Sequence, residues 1–206
     1  MNFVDECNSL IDHLHVEKCE QDLATLFIEP YDVVLELGAR YGTVSCAINN
    51  RLIHPTHQVS VEPQLEVQNA LEINRNVNKC QFHIWKGFVS KEPVHLEDYG
   101  YGATFHSGFS EQYPCISLED LQEKYNLKFD TLVADCEGGL GLFFEQHDWF
   151  YSQLRKIIFE KDYPQKCDYN KIVDKLKEHG FECIHSMNNG FHEVWKKNSQ
   201  VVPSSS

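Results

Sequence analysis

The stretch Val33-Val34-Leu35-Glu36-Leu37-Gly38-Ala39-Arg40-Tyr41-Gly42 passes from a β-rich apolar run into a glycine turn and on to a helix-length segment near 42–53. Glycines at the carboxyl end of a first strand let the backbone approach a nucleotide-like ligand, and open α/β sheets bind ligands in that crevice. The spacing is E-x-G-x-x-x-G. A dinucleotide fold would carry G-x-G-x-x-G, with three glycines placing a pyrophosphate on the helix amino terminus. Here the middle glycine is absent and an acid precedes the turn. A carboxylate repels a phosphate but attracts the ammonium of an amino-acid moiety, which points to S-adenosylmethionine.

Working outward, short apolar runs alternate with helix-length segments. The expected strands are 33–36, 58–61, 80–85, 131–134, 156–159, 181–184 and 191–195; the expected helices lie near 42–53, 64–76, 117–125, 139–154 and 169–179. Such alternation implies βαβ crossovers and a mostly parallel sheet with helices on both faces. The last two strands lack an intervening helix, so they should form an antiparallel hairpin through Asn188-Asn189-Gly190. Residues 3–28 carry apolar side chains at spacings of three and four, which predicts an amphipathic helix or helix pair packed on the domain as segment 1–29. The main domain should then span 30–198. Residues 199–206 read as a tail or linker, and residues 90–116, rich in glycine, aromatics and histidine, as a long functional loop.

Composition narrows the partners. The chain has 206 residues, with 31 acids against 18 bases and a formal charge of −13. Residues 1–154 hold 24 acids and 9 bases, so no basic stripe is available to displace counterions from a phosphate backbone. Nucleic acid is therefore not expected as a partner. The eight cysteines are scattered without a C-x-x-C pair, which suits free thiols in a reducing compartment. No apolar run reaches the length of about 18 residues that a membrane span needs, and the amino terminus is acidic, so an intracellular, cytoplasmic protein is expected.

Acids recur where strands end. Val61-Glu62-Pro63 places Glu62 24 residues after Gly38, where a carboxylate can accept both hydroxyls of an adenosine ribose. The fourth strand ends in Ala134-Asp135-Cys136-Glu137-Gly138, and carboxylates at i and i+2 on an extended segment reach one crevice. A helix amino-terminal cap would also explain an acid before glycine. The fifth strand closes on Glu160. Asp135, helped by His106 or Glu137, is the candidate base for an acceptor hydroxyl. Alternatively Asp135 and Glu160 hold Mg²⁺ or Mn²⁺. In the aromatic loop, Tyr99, Tyr101, Phe105 and Phe109 could stack on a sugar beside His106, or simply pack the loop down. His54 and His57, like His13 and His15, read as surface residues.

The run from Val33 through Gly42, with Ser60-Val61-Glu62-Pro63, Trp85-Lys86-Gly87-Phe88-Val89-Ser90, Ile116-Ser117-Leu118-Glu119-Asp120-Leu121, Asp135-Cys136-Glu137-Gly138 and Ile157-Ile158-Phe159-Glu160, resembles the FkbM-type methyltransferases over about residues 30–195. The resemblance implies a Rossmann-like class I fold and S-adenosylmethionine-dependent O-methyl transfer to a sugar hydroxyl of a glycan, glycolipid or natural product. It places Glu36, Gly38 and Gly42 at the methionine moiety, with Ala39, Arg40 and Tyr41 in the same turn. Glu62, with Pro63, falls at the ribose and Gly87-Phe88-Val89 near the adenine. Asp135 joins the cofactor rim, and Tyr99, Tyr101, Phe105, His106 and Glu160 the acceptor side. The chain departs from the family at Cys136, usually apolar, and at Leu140, where an acid is common. A deoxyhexose such as rhamnose is the acceptor expected, and the chain could be one module of a larger glycan-building enzyme. A catalytically silent methyltransferase-like binding module and a nicotinamide-dependent oxidoreductase remain the alternatives.

Overall fold

The computed structural model describes residues 1–96, 105–107 and 113–198. The chain opens with a short hairpin of β1 (Phe3–Val4) and β2 (Leu10–Ile11), followed by α1 (Lys18–Phe27). Then come β3 (Val34–Leu37), α2 (Thr43–Asn49), β4 (Gln58–Val61), α3 (Leu65–Val77) and β5 (His83–Trp85). The middle of the chain holds β6 (Phe88–Val89), β7 (Val94–Leu96), β8 (Phe105–Ser107), β9 (Cys115–Ile116) and α4 (Leu118–Tyr125). The last part contains β10 (Thr131–Ala134), α5 (Leu140–Gln146), α6 (Phe150–Gln153), β11 (Lys156–Glu160), α7 (Tyr169–Glu178), β12 (Phe181–Met187) and β13 (His192–Lys197).

Seven strands form one sheet in the order β12-β13-β11-β10-β3-β4-β5. Neighbours from β11 through β5 are parallel, whereas β13 runs antiparallel to both β11 and β12. The sequence thus anticipates the fold class, and a turn at Asn188–Gly190 joins the terminal hairpin as expected. β3, β4 and β10 are buried at every position, including the polar Glu36, Gln58, Ser60 and Thr131, as expected for parallel strands covered on both faces. Alternation sorts their side chains between two cores. Leu35, Leu37, Leu132, Ala134, Ile157 and Phe159 meet α4, α5, α6 and α7 on one face. Val34, Val133, Ile158 and Val194 meet α1 and α2 on the other. Connections leave β3 in one direction and β10 in the other, so the strand order reverses between them, and a ligand crevice opens at such a point.

Three expectations change. Residues 3–16 form no helix among the described residues: Asp5 Oδ1 accepts the Cys7 and Ser9 amides at 2.8 Å each, Asn8 adopts φ 61°, and the chain folds back so that Phe3 pairs with Ile11. Asn74 of α3 fixes that hairpin by exchanging two 2.8 Å hydrogen bonds with the Val4 backbone. The helix expected over 139–154 breaks at His147–Trp149 into α5 and α6. The segment 90–116 contains regular structure, since β7 pairs with β8 and β9 extends beside β6. The tail 199–206 and residues Tyr99, Tyr101 and Phe109 lie outside the described residues. No helix among those described is long and apolar enough to cross a membrane.

Candidate functional site

The ends of three adjacent strands are tied together by their backbones. Gly38 and Ala39 both donate to the Val61 carbonyl, at 3.1 and 3.0 Å, and the Asp135 amide donates to the Leu37 carbonyl at 3.0 Å. Gly38 adopts φ +87°, and a Cβ there would lie 1.7 Å from the Asp135 carbonyl oxygen. Only glycine lets β3 and β10 approach this closely. Above this junction lies a cleft floored by Leu37 and Gly38. One wall runs over Val61–Gln64 and Phe88–Ser90; the other is formed by Asp135–Glu137, Gly139, Leu142 and Phe143, with Glu17 and Arg40 at the rim.

Glu62 is 5% exposed, yet its carboxylate is held by backbone alone: Arg40 N–H reaches Oε2 at 2.6 Å and Gln64 N–H reaches Oε1 at 2.8 Å. Each oxygen thus keeps a second lone pair for a ligand hydroxyl. Burial pushes the group up to about 7, against the two amides and the nearby Arg40 charge. Arg40 lines the cleft and lies over the Tyr41 ring, 4.7 Å from its centroid, bringing a cation to a mostly acidic rim.

The opposite wall concentrates acids. Burial, followed by the charges of Glu160, Glu17, Asp162 and Glu20, holds the Asp135 carboxyl well above the usual carboxylate range. Glu137 is raised by burial and by Asp162. Carboxylate oxygens of Asp135, Glu137 and Asp162 lie within 4.8 Å of one another. A second cluster, Glu20, Glu160 and His192, adjoins it: His192 Nε2 is 2.5 Å from Glu20 Oε1 and 3.7 Å from Glu160 Oε2. Glu160 is pushed up to about 8 by its burial and by Glu20.

The structure redistributes several expected roles. Glu36 shares the sheet face of Val34, so its carboxylate turns toward α2, where Ser45 donates to Oε2 at 2.5 Å and Gln58 at 3.4 Å. It is 1% exposed, its Oε1 has no hydrogen-bond partner, and it lines a smaller adjoining cavity with Gly38, Asp135, Glu20 and Glu160 rather than the main cleft. Ala39 packs with Phe3, Cys46 and Leu71, and Tyr41 packs on Val67 and Ala70 while its hydroxyl donates to Glu6 at 2.5 Å. Neither side chain lines the cleft, and neither does Gly42, which begins α2. Gly87 is absent from the wall as well, because it accommodates the Pro114 carbonyl, which a Cβ would meet at 2.1 Å. Gly38, Arg40, Glu62, Pro63, Phe88, Asp135 and Glu137 do line it. Glu160 lies in the adjoining cluster and lines the smaller cavity together with Asp135, on which it is the largest neighbouring charge. Phe105 and His106 fall on β8, whose side chains are not described.

Glu17, Glu20 and Asp162 were not expected at the site. Glu17 accepts the Thr43 hydroxyl and is raised by burial. Glu17 precedes α1 with φ 51° and Glu20 lies in its first turn, and nothing local aims this helix start at a strand end. Asp162 follows the recognised strand end by two residues and accepts Gly138 N–H at 3.0 Å and the Tyr169 hydroxyl at 2.6 Å.

Comparison with solved structures defines the class of fold. A ribosomal protein L11 methylase from Lactobacillus delbrueckii subsp. bulgaricus is similar with a TM-score of 0.54 and 19% identity, over 89% of this chain and 80% of that one. An rRNA methylase from Streptococcus thermophilus gives a TM-score of 0.55 and 8% identity over 88% and 95% of the two chains. For a precorrin-6y C5,15-methyltransferase from Geobacter metallireducens the values are 0.52 and 14%, over 92% and 90%. The chain has the Rossmann-like fold of class I methyltransferases. No protein-family model and no curated protein sequence matches it.

Proposed function

We propose that this chain is an S-adenosylmethionine-dependent methyltransferase acting on a sugar hydroxyl, with the cofactor in the cleft between β3 and β10. The observation that carries the reading is the pair of polar ends that this cleft offers. At one end Glu62 presents two carboxylate oxygens with spare lone pairs, suited to the two hydroxyls of a ribose. Phe88 and Val89 beside it offer an apolar wall for a flat base. Arg40 is placed to meet a carboxylate, and Asp135 or Glu17 an ammonium. This donor set fits an amino-acid nucleoside and would repel a dinucleotide pyrophosphate.

When bound, S-adenosylmethionine supplies a methyl group on a positively charged sulfur that leaves as a neutral thioether. The protein must hold the acceptor in line and take up its proton. A neutral sugar hydroxyl is a weak nucleophile, and a carboxylate whose proton affinity is raised is the better base. Asp135, at the cleft and raised by burial and by Glu160, fits that task, with Glu137 beside it. The acidic rim and the net charge of −13 support a neutral acceptor over the polyanionic RNA named for one of the structural neighbours. Transfer of labelled methyl from S-adenosylmethionine to an array of defined glycans tests the reading. Methylation of a sugar hydroxyl supports it. Binding of S-adenosylhomocysteine without transfer to any glycan would instead favour a silent binding module.

A further inference from the structure

We propose that Cys46 and Cys80 form a redox-active dithiol in the folded protein, closing to a disulfide when a peroxide oxidises them and reopening on reduction. All eight cysteines of the chain are free thiols. Cys46 lies in α2, and Cys80 follows α3 through a turn in which Lys79 adopts φ 59°. The two share one packed cluster with Phe3, Ala39, Leu71 and Phe82. Other bonds hold their segments together. Asn49, three residues beyond Cys46 and so on the same face of α2, accepts the Gln81 amide on Oδ1 at 2.9 Å, and the Cys80 amide donates to the Arg75 carbonyl at 2.9 Å. The Cys46 thiol donates to the Cys80 sulfur, whose own thiol donates to the Asn78 carbonyl at 3.7 Å. Sulfurs already in hydrogen-bond contact need to draw together by only about 2 Å to bond.

The two thiols are unequal. The hydrogen bond from Cys46, joined by the Arg75 charge, holds Cys80 below the usual thiol range against its burial, whereas the same bond and burial raise Cys46. Cys80 is 8% exposed and Cys46 is sealed. Because the thiolate is the nucleophile, Cys80 is the sulfur that attacks and Cys46 the one that resolves. Cys136 and Cys167 also pack in one cluster, but burial raises both.

In the first step the Cys80 thiolate attacks one oxygen of hydrogen peroxide. An S–O bond forms, the O–O bond breaks, and the departing hydroxide takes up the proton that Cys80 released. In the second, the Cys46 sulfur attacks the resulting Cys80 sulfenic acid: the S–S bond forms, the S–O bond breaks, and hydroxide leaves with the Cys46 proton as a second water. Each sulfur gives up one electron and the peroxide gains both. The bridge would tie α2, which starts at the Gly42 turn and carries Ser45 against Glu36, to the segment leading into β5, without entering the cleft. It does not depend on the methyl-transfer reading.

The test treats full-length protein with hydrogen peroxide, blocks the remaining thiols by alkylation and reads unreduced peptides by mass spectrometry. A peptide pair joined through Cys46 and Cys80, lighter by two hydrogens than its separate halves and released by dithiothreitol, is expected at peroxide levels below those that oxidise the exposed Cys7 and Cys183. Closing a loop of about 35 residues should raise Tm by about 5–10 °C, and Cys80→Ala should show neither cross-link nor rise. In Cys46→Ala, dimedone should trap Cys80 as its sulfenic acid, which keeps the proposal testable if Cys80→Ala does not fold. Cys46 and Cys80 both still alkylated once Cys7 and Cys183 are oxidised, or Cys80 carried to sulfinic acid without a cross-link, would overturn the proposal. A cross-linked protein that melts no higher than the reduced one would overturn it too, because the bond would then form only from a distorted structure.

Discussion

Replacing Gly38 by alanine drives a methyl group into the junction of β3 and β10. The new Cβ would lie 1.7 Å from the Asp135 carbonyl oxygen and 2.8 Å from its carbonyl carbon, whereas ordinary contact begins at 3.4 Å. Both obstructing atoms are backbone, so relief requires the strand ends to part by about the difference, 1.7 Å, which strains the 3.0 Å bond from Asp135 N–H to the Leu37 carbonyl. A positive φ costs an alanine about 1–2 kcal/mol, and forced overpacking adds about 1–3 kcal/mol, for a loss of about 2–5 kcal/mol. Gly180 supplies the control. Its φ is +79°, but nothing lies within 4 Å of a Cβ there, so Gly180→Ala should lose only the conformational share of about 1–2 kcal/mol. Urea denaturation of both variants measures the difference directly. S-adenosylhomocysteine titration should show weakened binding in Gly38→Ala alone, because Asp135 is displaced with the strand end. Equal stability losses in the two variants would refute the claim that close backbone approach fixes the floor of the cleft.

Other substitutions separate chemistry from architecture. Asp135→Asn should abolish methyl transfer while leaving S-adenosylhomocysteine affinity within about tenfold, the pattern for a group acting mainly in the transition state; unchanged turnover would exclude it as base and as metal ligand together. Glu36 is fully buried and pushed up from 4.5 to about 7, so the folded state binds its proton more tightly than the unfolded state does. Its contribution is therefore complete below about pH 4.5 and is lost as pH rises through about 7, a swing of about 3 kcal/mol. Glu36→Gln should remove that swing, and denaturation at pH 4.5 and pH 8 should show a stability drop smaller than in the wild type. An identical drop in both proteins would mean that the carboxyl is not desolvated by packing against α2.

Strands β3, β4, β10 and β11 were legible because each is short and rich in β-branched and apolar residues, and the helices between them force parallel pairing. The first residues misled for a physical reason. Apolar spacings of three and four fit a helix, but they also fit a tight hairpin when an Asp5 side chain caps its turn, and long-range bonds to Asn74 decide between the two. The site was legible where it rests on strand ends, as at Gly38, Glu62 and Asp135. Glu36 was recognisable as a strand-end acid, but its hydrogen bond to Ser45 of α2 was not, since which neighbours such an acid meets depends on which sheet face it shares. Glu17 and Glu20 were illegible because the start of a helix far from the cleft in sequence delivers them. Asp162 was missed because the loop after β11 turns back toward Gly138.

In the proposed enzyme the cleft between β3 and β10 binds the cofactor through Glu62. Calorimetric titration of S-adenosylhomocysteine into the wild type and into Glu62→Ala tests it most directly. One site per chain is predicted, weakened in the variant by about 1–3 kcal/mol through loss of charge-assisted hydrogen bonds. No saturable binding to the wild type, or equal affinity in the two proteins, would contradict the account.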